Sequence, residues 1–78
     1  MVDRDQVGLA AMEAMDELED GGALDFPNAT LRGIAVIVAV DHGDSTSINY
    51  RFKNAKGAEL DTVTGLEMLR RVREAISP

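Results

Sequence analysis

Seven consecutive residues, Ile34 to Val40 (IAVIVAV), are apolar, and no charge or proline interrupts them. The run is rich in Val and Ile, which favour extended backbone. It is far shorter than the roughly 20 residues that a helix needs to cross a bilayer. It therefore reads as a strand within a folded domain, apolar on both of its faces. Ten residues further on, SINYRF (47–52) alternates apolar and polar positions and needs cover on one face only. The question the chain poses is what covers the other face of the first strand.

Around this pair the pattern predicts a helix over about 3–19, a connector over 20–30 and strands over about 31–41 and 45–53. A short third strand at 58–60 and a helix over about 62–76 complete the order. In the first helix Val7, Ala11, Ala14 and Leu18 recur at steps of three and four. Asp3 with Gln6 makes a capping-box-like start, and Gly21 and Gly22 mark the stop. In the last helix Leu66, Leu69, Val72 and Ile76 form the inner stripe. Asp61 or Thr64 caps it, and Thr64 with Glu67 matches a capping box. The expected fold class is α+β, in the order α-β-β-(β)-α, one domain over 1–78 with both helices on one face of a small antiparallel sheet.

Strand register follows from how the apolar residues group. A three- or five-residue loop around His42-Gly43-Asp44 pairs even positions with even ones. Ile34, Val36, Val38 and Val40 then share a face with Ile48, Tyr50 and Phe52, and the helices cover it. Ala35, Ile37 and Ala39 are left on the open face beside Arg51 and Lys53. These five residues are the expected interface. The uncharged strand edge and the open stripe predict contact with a second copy of the chain, a homodimer.

Charge is unevenly spread. The chain carries a formal −6, but residues 1–25 alone carry −7, with Arg4 their one base. Such a segment disfavours nucleic acid and suits a basic protein partner. Glu13, Asp16, Glu17 and Asp20 form two acidic rows along the first helix and are the expected acidic partner face. The alternative function is an acidic mimic of nucleic acid that inhibits a basic protein. There is no Cys, which excludes disulfides and thiolate metal sites and accords with a cytoplasmic protein. No signal peptide and no membrane segment are expected.

The residues with conventional catalytic or metal-ligand chemistry cluster at one place, Asp41, His42 and Asp44 on the hairpin tip. The same residue types serve turn chemistry. A metal-binding or catalytic tip is the second alternative; the main expectation is a protein that is not an enzyme and takes no cofactor. The element order is that of a double-stranded RNA-binding domain. Such domains place cations at the start of the last helix to meet phosphates, whereas that stretch here, AELDTVTGLE, is acidic.

An acidic first helix, a GIAVIVAV strand leading to SINYRF, and a last helix starting TGLEMLRRV together resemble small uncharacterised proteins encoded by phages of actinobacteria. The resemblance runs over nearly the whole chain in size and element order. It implies a binding role towards a protein of the host, in the host cytoplasm, and brings no functional residues with it.

Overall fold

A helix starts where its first free N–H groups find acceptors. At the N-terminus Asp3, in extended conformation, accepts the Gln6 N–H on Oδ1 at 2.9 Å, and α1 (Arg4–Asp20) follows. Its end is equally specified. The Ala23 N–H donates to the Leu18 carbonyl and the Gly22 N–H to that of Glu19, with Gly22 at φ +80°. This is the Schellman arrangement, which needs a left-handed residue at the second position. The connector then makes a turn in which Ala29 N–H donates to the Phe26 carbonyl; Pro27 leads and Asn28 takes φ +60°. Those are the type II positions for each residue type.

The computed structural model describes residues 1–77. Its elements run α1, β1 (Ile34–His42), β2 (Ser45–Lys53), α2 (Thr62–Ile76), with a two-stranded antiparallel sheet. The α+β class and element order expected from sequence are present. The backbone divides into two compact units, Met1–Thr30 and Leu31–Pro78, where the sequence reading has one domain. Each is described by itself.

In the second unit the hairpin register departs from expectation. His42 pairs with Ser45 across a two-residue loop, so Ala35 lies opposite Phe52, Ile37 opposite Tyr50 and Ala39 opposite Ile48. Even positions pair with odd ones. The cause is the turn: Gly43, first of the two loop residues, sits at φ +67° while Asp44 stays at negative φ. That combination matches the strand twist and closes the tightest hairpin. One face therefore holds Ala35, Ile37, Ala39, Ile48, Tyr50 and Phe52. The other holds Ile34, Val36, Val38 and Val40 beside Asn49, Arg51 and Lys53. The aliphatic stems of Arg and Lys can lie over valine methyl groups while their charges stay in water. Cations beside valines therefore sacrifice less burial than the grouping assumes.

After β2 the chain turns on Asn54, whose Oδ1 accepts the N–H groups of Lys56 and Ala58. Glu59 returns antiparallel to Lys53, and Leu60 N–H donates to the Phe52 carbonyl at 3.2 Å. The strand expected at 58–60 is thus a single bridge at Glu59.

Asp61 caps α2, accepting both the N–H and the hydroxyl of Thr64. The expected Thr64–Glu67 box does not form, because Glu67 turns down-chain to Arg70 and Arg71. Gly65 sets the first turn of α2 against Phe52: a Cβ there would lie 2.8 Å from the ring. Gly65 is the one buried residue among those described. The Phe52 ring places α2 on the face that carries Ala35, Ile37 and Ala39, and not on the valine face expected from sequence.

Candidate functional site

The hairpin and α2 enclose an open groove of about 560 Å³. Ile48, Tyr50 and Phe52 from β2, Leu60 from the connection and Leu66 and Leu69 from α2 line it; Glu59 and Arg51 contribute polar groups. The aromatic pair Tyr50 and Phe52 sits with ring centroids 5.4 Å apart and planes tilted by 49°, within the range aromatic pairs prefer. Several lining side chains remain open: Ile48 is 60 % exposed, Tyr50 57 % and Leu66 59 %.

The five residues expected to make one interface fall on two faces. Ala35, Ile37 and Ala39 share the groove face, whereas Arg51 and Lys53 belong to the valine face. The physical reason is the two-residue turn, since a one-residue change of register moves every side chain of a strand to the other face. Arg51 additionally donates from Nη1 to the Tyr50 carbonyl at 2.6 Å.

The acidic residues Glu13, Asp16, Glu17 and Asp20 all lie on α1 and are exposed. Among the described residues no α1 carboxylate is in an ion pair; the ion pairs are those of α2. There Glu67 is held down to about 2, from an ordinary 4.5, by hydrogen bonds from Arg70 and Arg71. The Asp61 carboxyl is also lowered, by the Thr64 N–H and then its hydroxyl. Both shifts belong to helix construction.

At the hairpin tip, Asp41 and His42 occupy neighbouring positions and so project to opposite faces. Thr46 donates its hydroxyl to Asp41 Oδ1 at 2.6 Å, and His42 Nε2 lies 2.6 Å from Ser47 Oγ. Each side chain is engaged by the facing strand, and among the described residues no three His, Asp or Glu converge as a metal-holding group. The geometry performs turn and cross-strand chemistry.

Sequence reasoning missed Leu60 and Gly65 as builders of the groove. The one signal for Gly65 is a helical glycine that costs helix propensity, and it is a weak one, since Gly8 in α1 is the same in sequence and has nothing within 4 Å. What defines the second unit is an α+β hairpin-and-helix module with an open groove of mixed polarity and, among the described residues, a β1 edge that accepts no backbone hydrogen bond from outside the hairpin. Comparison with protein-family models, with curated proteins and with solved structures returned no significant match to this chain.

Proposed function

We propose that the protein is a non-enzymatic protein-binding module that works as a homodimer in the cytoplasm. The observation that supports this most is a two-stranded sheet whose large apolar side chains remain exposed around an open groove. Two strands are marginal in water without further cover, and Ile37, Ile48, Tyr50 and Leu66 on or beside that sheet are each more than half exposed. If the resemblance to phage proteins of actinobacteria extends to role, the further partner is a host protein. Solution mass by light scattering, taken over a wide concentration range, tests the dimer. A mass of two chains of 8.4 kDa is expected; a single-chain mass at every concentration overturns it.

A second reading, acidic mimicry of nucleic acid, draws support from the exposed carboxylates of α1. It requires partner binding that weakens steeply with salt.

A further inference from the structure

In an antiparallel pair, a residue directs its N–H and C=O either both to its neighbour or both away, alternating along the strand. His42 and Ser45 close a two-residue turn and so form a bonded pair. Even positions of β1 therefore bond to β2, and Ala35, Ile37 and Ala39 direct their backbone groups outwards. Phe52 gives the same parity independently: it lies opposite Ala35, and its carbonyl turns away from β1 to accept Leu60 N–H.

The two edges of the sheet differ. On β2 the outward carbonyl of Phe52 is taken by Leu60, and that of Tyr50 by the Arg51 guanidinium. On β1, among the described residues, no backbone hydrogen bond from outside the hairpin reaches the edge. Residues 34–40 of that edge carry no charge and no proline, the usual devices that discourage pairing.

The sequence of this edge is also its own complement. Residues 35–39 read Ala-Val-Ile-Val-Ala, a palindrome centred on Ile37. We propose that two copies join through β1, antiparallel about a two-fold axis at Ile37, forming one sheet in the order β2-β1-β1-β2. Ala35 then faces Ala39 of the second copy and Ile37 faces its own equivalent, each pair exchanging both hydrogen bonds. Val36 faces Val38 in the closer, unbonded kind of pair, where β-branched side chains contact well. Antiparallel pairing also sets Arg32, at one end of the segment, near Asp41 at the opposite end of the second copy. The residues from Leu31 onward sum to only +1 in each copy, so the segments that carry the contact add little repulsion of their own. This inference rests on the homodimer reading and specifies its contact.

The test is a mixed sample of isotopically labelled and unlabelled chains, read for contacts between copies. The expected signal is a cross-peak between the α protons of Val36 in one chain and Val38 in the other. A companion variant, Ile37→Lys, places like charges directly opposite at the axis. It should raise the dimer dissociation constant ~10-fold or more while hairpin and α2 resonances keep their pattern. A dimer without the Val36–Val38 cross-peak, or with unchanged affinity in a folded Ile37→Lys variant, overturns edge pairing and leaves the homodimer standing. A wild-type monomer at all concentrations overturns both. Should Ile37→Lys fail to fold, the wild-type cross-peak decides alone.

Discussion

Gly65 shows how one missing methyl can place an element. Alanine is intrinsically the better helix former by roughly 1 kcal/mol, yet a Cβ at this position would press to within 2.8–3.0 Å of three Phe52 ring carbons. A separation that real Cβ atoms do not show forces the ring or the helix to shift, and that cost outweighs the propensity gain. Gly65→Ala is expected to lower the unfolding free energy by about 1–3 kcal/mol, the usual cost of overpacking. Denaturant unfolding of the variant checks this, and Phe52→Leu in the same chain should restore part of the loss. An unchanged midpoint would mean that α2 is not seated on Phe52. A mid-helix glycine is visible in the sequence, but which side chain it meets is not, because Phe52 and Gly65 lie on different elements separated by the Asn54 turn, the Glu59 bridge and the Asp61 cap.

At the scale of elements, α1 and α2 are largely legible. Asp3, Gly22 and Asp61 are end signals that act through bonds to nearby residues, and the observed bounds fall close to the expected ones. The hairpin bounds are legible too, but not its register. Grouping of apolar residues is a tertiary criterion, whereas Gly43 followed by Asp44 is a local one, and the local one decided. The ion pairs of α2 yield a titration. The Glu67 carboxyl is lowered in the folded chain, so its contribution is fully present above the ordinary 4.5 and is lost as pH falls towards about 2. Helical signal should therefore decline through that window, and Glu67→Gln should flatten the decline; the residue is exposed, so the effect is modest. A wild-type profile identical to that of the variant would remove the ion pairs from any role in helix stability.

For the whole molecule, charge and association separate along the chain. The first thirty residues carry −7 and the remainder +1, while the proposed contact is centred on the uncharged residues 34–40 of β1. Neutralising Glu13, Asp16, Glu17 and Asp20 to their amides should leave the dimer mass unchanged, and should raise α1 helicity by removing like charges one turn apart. Sedimentation and far-UV dichroism measure the two effects. A dimer weakened by this change would assign the contact to the acidic helix instead of β1. The same variant reads the mimicry alternative, under which binding to a basic partner would disappear.

By itself the sequence determined the order of elements, their ends and the acidic asymmetry, because those depend on neighbours within a few residues along the chain. Only the structure showed which face of the hairpin carries α2, that the turn splits Ala35, Ile37 and Ala39 from Arg51 and Lys53, and that two outward carbonyls of β2 are taken while the β1 edge receives no such bond among the described residues. Those outcomes hang on a two-residue turn, a ring against a glycine and two captured carbonyls. The ring against the glycine and the Phe52 carbonyl taken by Leu60 are spatial meetings between separate elements, whereas the turn is a local choice that overrode the apolar grouping.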